Sequence, residues 1–280
     1  MGIHRYFLVM IIFIVFPIKA AGEVEFDRDS PISFKVEMLP WNEVNEILPK
    51  YSNFTVIDVE TRKHFNVQRR AGTYHADVQP LTSQDTKMMK SIFNGQWTWK
   101  RRAILILSED RLIAASMHGM PHGAGALKNN FPGHFCIHFF GSITHRSNKM
   151  DLSHLLMILK AAGKLDEYLT TISPSDTVHA YIASLHQQDE HLFNYISLQP
   201  LKSDIKEHIL KIEAIKVNRI NIDLNNSPLR GGVYVPVELS LYIKNEGLKR
   251  IETNILLVRT SPMEGWKVDS EYFVNEIFPK

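Results

Sequence analysis

Between residues 54 and 142 apolar and polar side chains alternate in short runs, and a period of two predicts strands. Phe54–Glu60 (FTVIDVE) alternates in this way and is rich in β-branched residues. Thr61–Lys63 turns it and His64–Arg69 returns, a hairpin. Ala103–Ser108 and Leu112–Met117 flank the turn Glu109-Asp110-Arg111 and predict a second hairpin. A glycine-punctuated loop, His118–Gly133, then leads into an apolar strand over Phe135–Ser142. Helices interrupt this pattern. Thr82 with Asp85 reads as a capping box, followed by the stripe Met88, Met89, Ile92, Phe93 and a stop at Asn94-Gly95. Asp151 caps a helix from Leu152 to Ala162 that ends at Gly163, and a short helix is expected around Trp41–Pro49. Residues 24–165 therefore read as one mostly-β domain.

The period then changes. Val178, Tyr181, Ile182, Leu185, Phe193 and Ile196 recur at helical spacing. From Ile205 to Phe273 the segments KEHILKIEAIKVNRINI, VYVPVELSLYIKN, RIETNILLVRT and GWKVDSEYF predict three or four long strands with little helix. Val233, Val235, Val237 and Leu239 alternate with Tyr234, Pro236 and Glu238, which gives that sheet one apolar face. The fold class expected is α+β, with a curved antiparallel sheet packed on helices in the C-terminal part. This element order, closed by Trp266-Lys267-Val268, resembles the cone of the nuclear transport factor 2-like fold over residues 170–280. The resemblance implies a binding or spacing module.

Composition narrows the class. The chain has 280 residues, 44% apolar and 22% charged, which argues against disorder and coiled coil. Residues 1–21 hold Arg5 and Lys19, no acid, an apolar run from Tyr6 to Ile18, then Ala20 and Ala21. That is the pattern of a signal peptide, so the protein is expected to be exported, extracellular or in the cell envelope. The run is shorter than the ~20 residues of a membrane-crossing helix, so no stable span is expected after cleavage. Arg5 and Lys19 account for the whole formal charge of +2, and no basic surface points to nucleic acid.

The single cysteine excludes an internal disulfide and lies in the densest group of histidines. Six of the 13 histidines fall between His118 and His154. On a strand, His134, Cys136 and His138 share one face, with Phe135, Ile137 and Phe139 on the other. The apolar set anchors the strand, and the polar set places a thiol between two imidazoles. A neighbouring imidazole can take the thiol proton and release the thiolate nucleophile. The scattered His64, His179, His186, His191 and His208 read as ordinary surface or core residues.

His122-Gly123, a loop, then His134-x-Cys136-Ile137 is similar to the active-site signature of L,D-transpeptidases of the YkuD type. In that family a His-Gly pair precedes a Ser/Thr-His-Gly-Cys-hydrophobic-Arg strand. The resemblance implies Cys136 as nucleophile, His134 as general base and His122 as the upstream active-site histidine, with His138 orienting or polarising. It implies a mostly-β catalytic domain that attacks peptidoglycan stem peptides and passes the acyl group through a thioester to an amine. No cofactor is implied. The sequence departs from the signature at Gly133 for Ser/Thr, Phe135 for Gly and His138 for Arg. The Phe crowds a place where substrate approaches, and the missing Arg removes a forked cation.

Two other readings follow from the same residues. One is a non-catalytic wall-binding protein on this fold. The other is a zinc-dependent peptidoglycan peptidase, with His75, Asp77, His122, His134 and His138 as candidate ligands; His145, Asp151 and His154 are further donors, of which His145 and His154 are read as loop and helix-start residues that orient the site. Trp97, Trp99 and Arg101 in the run WTWKRR, together with His118 and Gly123, are the candidate substrate-binding residues; the aromatics offer stacking and the cations suit an anionic polymer.

Overall fold

A computed structural model describes residues 35–144, 149–221 and 231–279. The leader expected over residues 1–21 and His145 lie outside these residues.

The N-terminal elements are β1 (Val36–Glu37), α1 (Trp41–Ile47), β2 (Asn53–Asp58), β3 (His64–Ala71), β4 (Ala76–Pro80), α2 (Ser83–Ile92), β5 (Arg101–Ser108), β6 (Arg111–His118) and β7 (Phe135–His138). Strands β6-β5-β2-β3-β4-β7 pair in that order, all antiparallel, and β7 pairs back onto β6. The ring is thus a closed six-stranded barrel, with β1 added parallel to β6. Period-two alternation fills it: Phe54, Val56, Phe65, Val67, Ala76, Val78, Ile104, Ile106, Ile113, Ala115, Met117, Phe135 and Ile137 form one buried core. α1 adds Val44, and α2 adds Met89 and Ile92. The capping box is present, with Thr82 accepting from the Asp85 N–H and the Asp85 side chain accepting from the Thr82 N–H.

The second part comprises α3 (Leu152–Ala161), α4 (Leu165–Thr171), α5 (Pro174–Gln187), α6 (Glu190–Ile196), α7 (Ser203–Leu210), β8 (Ile212–Ile220), β9 (Gly231–Ile243), β10 (Gly247–Arg259), β11 (Lys267–Val268) and α8 (Ser270–Ile277). The four strands form a curled antiparallel half-barrel, ordered β11-β10-β9-β8. Val235, Val237, Leu239 and Leu241 of β9 face the helices, while Tyr234, Pro236 and Tyr242 face water. α3 joins this second core through Leu156, Met157 and Ile158, and the same core takes in Ala103 and Ala114 from the outside of the barrel. Alanines at these positions let α3 lie close on β5 and β6.

Four sequence expectations change. KEHIL, expected to begin a strand, is the end of α7, because Ile205 and Ile209 stand four residues apart and bury on one helix face. In GWKVDSEYF only Lys267–Val268 is strand; Asp269 accepts from the Tyr272 N–H and starts α8. The second hairpin turns on Glu109-Asp110 alone, with Glu109 at φ +55° and Arg111 paired to Ser108. β4 is an additional strand, buried along its whole length. No helix among the described residues is long and apolar enough to cross a membrane.

Candidate active site

The site is built on the outer face of three neighbouring barrel strands. β4 turns Ala76 and Val78 inward, leaving His75, Asp77 and Gln79 outside; β7 turns Phe135 and Ile137 inward, leaving Cys136 and His138 outside. β6 adds Ser116 and His118 on the same outer side. These outer side chains are buried too, because α3 and the loop over residues 119–133 cover them. Cys136 is only 4% exposed. Asp77 stands opposite Cys136 in the β4–β7 register.

His122 and His134 form an isolated antiparallel bridge, each N–H donating to the other's carbonyl at 2.9 and 2.8 Å. Two glycines make the approach. Gly133 has φ +127°, and a Cβ there would stand 2.4 Å from the His122 carbonyl oxygen. Gly123 has φ +59°, and its Cβ would stand 2.4 Å from His134 Cε1. Gln79 clamps the loop from β4, donating to the Gly133 carbonyl at 2.7 Å and accepting from the Ala126 N–H at 2.9 Å.

The imidazole in contact with the sulfur is that of His122, with Nε2 3.3 Å from Cys136 Sγ. Its Nδ1 faces the Met120 carbonyl at 3.2 Å. A carbonyl only accepts, so Nδ1 carries the hydrogen and Nε2 presents a lone pair to the thiol. His134, assigned as base by the family signature, faces a different partner. Its Nδ1 meets the Ala124 carbonyl at 3.1 Å and its Nε2 lies 3.9 Å from Asp77 Oδ1. Asp77 Oδ1 is also 3.6 Å from Cys136 Sγ and 3.3 Å from His75 Nε2.

Electrostatics follow from this burial. The Cys136 thiol is pushed far up, first by burial and then by the Asp77 charge. Burial also pushes Asp77 up, but the hydrogen bond and charge of His75, with His134 and the thiol, bring its carboxyl below the usual value. His122 is lowered by burial. His118 is lowered to about 3 by burial and by the neighbouring His122 and Arg101. Since the Met120 N–H donates to His118 Nδ1 at 3.3 Å, neutral His118 carries its hydrogen on Nε2.

The three departures from the signature now have local causes. Phe135 points into the barrel, against Phe65 and Phe131 at ring distances of 6.2 and 5.7 Å, and does not crowd the thiol. Gly133 answers the close pass of the His122 carbonyl. His138 is the middle of a stack, 4.4 Å from the His75 ring and 3.9 Å from the His154 ring. His154 Nδ1 meets Ser116 Oγ at 3.0 Å, and burial holds this imidazole well below its ordinary pKa.

The WTWKRR segment divides. Trp99, half exposed, lays its ring 4.7 Å from His118 and 5.4 Å from His122, at the open edge of the site. Trp97 turns away and meets Phe131 edge-on at 5.3 Å. Arg101 pairs with Asp151 at 3.0 Å. A cavity of about 530 Å³ lies behind this segment, lined by Trp97, Lys100, Gln187, Asp189 and Lys206. It belongs to the junction between barrel and helices, and the thiol does not line it. Sequence reading underweighted Asp77 and missed Gln79 and Ser116. Their signal was the polar triplet His75-x-Asp77-x-Gln79 at strand spacing. Comparison with family models, curated proteins and solved structures returns no match.

Proposed function

We propose that the protein is a cysteine acyltransferase of the L,D-transpeptidase type, acting on peptidoglycan stem peptides. The observation that carries this reading is the contact of His122 Nε2 with Cys136 Sγ at 3.3 Å, with Nδ1 tied to a backbone carbonyl. A buried thiol held far above neutrality is a poor free nucleophile, so the proton must leave as the sulfur attacks. His122 takes it. The imidazolium so formed is favoured by the nearby Asp77 carboxylate, whose charge raises the His122 pKa. Sγ bonds to the stem-peptide carbonyl carbon, the C–N bond breaks, and His122 returns the proton to the departing amine. An acceptor amine then attacks the thioester, gives its proton to His122 and regenerates the thiol. Neutral His118, with its hydrogen on Nε2, donates to the oxygen that gains charge in each tetrahedral intermediate. His134 holds the loop carrying His122 in place, and Trp99 provides a stacking surface at the entrance.

Incubation with a disaccharide-tetrapeptide should add an acyl mass to Cys136, seen by intact-protein and peptide mass spectrometry. Cys136→Ala should give no adduct, and His122→Gln should slow its formation by about 10²–10⁴-fold. Full activity in Cys136→Ala would sink the assignment. Binding to cell-wall sacculi with no adduct would favour the wall-binding alternative.

A further inference from the structure

The seam of the barrel holds more electron pairs than hydrogens. The Nδ1 hydrogens of His122 and His134 both point outward, to the carbonyls of Met120 and Ala124. With one hydrogen on the ring, each therefore turns its Nε2 lone pair inward. His122 Nε2 is 3.3 Å from Cys136 Sγ, Sγ is 3.6 Å from Asp77 Oδ1, and Oδ1 is 3.9 Å from His134 Nε2. Four electron-pair donors thus meet along one chain of contacts, and the thiol brings the one hydrogen among them. Asp77 and Cys136 are 8% and 4% exposed, so these donors meet away from bulk water.

We propose that this cluster is a binding site for one thiophilic divalent metal ion of the zinc class, held by Cys136 Sγ, Asp77 Oδ1 and His134 Nε2, with a fourth position left to solvent and His122 beside the sulfur. A thiolate and a carboxylate supply two negative charges, which match a divalent cation. Sulfur with imidazole nitrogen selects zinc-like ions over magnesium or calcium. Zinc–nitrogen and zinc–sulfur bonds of ~2.0–2.3 Å place neighbouring tetrahedral donors ~3.3–3.7 Å apart, close to the contacts found here. The donors of Asp77, His134 and Cys136 all lie within 4.8 Å of one another.

The surroundings have the organisation of a second layer. The Ala124 carbonyl fixes His134 in the ligating tautomer, and His75 Nε2 stands 3.3 Å from the same carboxylate oxygen. His118 is not a ligand, since its Nδ1 already accepts from the Met120 N–H. His122 and His134 are partly exposed, which gives the ion a path in. The site does not depend on the acyl-transfer reading. Where both hold, the ion and the acyl donor compete for one sulfur, and the metal is a reversible block on the nucleophile.

The test is cobalt titration of the chelator-stripped, phosphine-reduced full chain. Wild type should bind about one Co²⁺ saturably, with tetrahedral d–d bands and a near-ultraviolet thiolate-to-cobalt charge-transfer band, both removed by added Zn²⁺. Cys136→Ser should abolish the charge-transfer band. Asp77→Asn and His134→Gln should each weaken binding by at least about 10–100-fold, with circular dichroism showing that they fold. If either fails to fold, Cys136→Ala is read in the same way. Absence of a saturable cobalt band in wild type would overturn the site, as would a band untouched by substitution of Asp77 or His134. Acylation of Cys136 in protein that binds no cobalt removes the metal site alone; a cobalt band without acylation supports the metal site and removes the acyltransferase.

Discussion

The closed barrel and the half-barrel are both curved antiparallel sheets with one apolar face, and they differ in what lies over the other face. On β9 the outer row, Tyr234, Pro236 and Tyr242, is in water and holds no cluster of chemistry-bearing groups. On β4, β6 and β7 the outer row is itself buried, beneath α3 and the loop over residues 119–133. Polar residues there cannot rely on solvent, so each must be held by a neighbour. The alternation that makes a scaffold in both sheets therefore makes a site only where the second face is covered. Burial raises the thiol and lowers His118, His122 and His154, while backbone groups beneath the cover fix the tautomers of His118, His122 and His134.

The sharpest way to break this comparison is to attack the inward row of the barrel. Phe135→Ala removes a fully buried ring packed on Phe65 and Phe131, and should cost about 3–5 kcal/mol in urea unfolding. A loss near zero would mean that the inward row of β7 is not the scaffold.

A second test uses pH on the covered outer row. His154 is fully buried with its pKa held well below 6.5, so the folded protein resists protonation that the unfolded chain accepts. A lowered histidine gives stability that is present above about pH 6.5 and is lost as pH falls below it. As pH falls from about 7.5 toward 5, this residue should steepen the loss of unfolding free energy. His154→Phe keeps a ring in the stack and should flatten that part of the slope. An unchanged slope would show that the outer row is not held neutral by burial.

The smallest effect is expected on the exposed face. Tyr242→Ser, at a position 47% exposed on β9, should shift stability by about 0.5 kcal/mol or less. A loss of several kcal/mol would mean that this face is covered by something, and the contrast between the two sheets would fail.

Elements were legible in the sequence where local chemistry and tertiary context agree. Thr82 with Asp85, Asp151 before α3, and the Val235–Leu241 alternation are of this kind. β4 was not legible, because both of its faces are buried and its outer residues are polar, so it lacks the contrast of a half-exposed strand. α7 and α8 were read as strand because each has only eight residues and follows or precedes a β segment without a break in composition. At the site, strand spacing put His134 and His138 on the face of Cys136, and the resemblance to the transpeptidase signature added His122. Which imidazole meets the sulfur was not legible, since that depends on the Met120 and Ala124 carbonyls choosing tautomers after the loop has folded. Asp77 enters from a strand far away in sequence, and only the β4–β7 register brings it to the thiol.

That register has a kinetic meaning. β7 is the last strand of the ring to leave the ribosome, and its pairing with both β4 and β6 is what closes the circle. Until then Cys136 is an ordinary cysteine on an unpaired segment, open to oxidants and alkylating reagents. Ring closure withdraws it from them and delivers it to Asp77 and His122 in the same event. Pulse-labelling of this one thiol during refolding would therefore time the completion of the barrel, and the chemistry of the site would begin only when its architecture is finished.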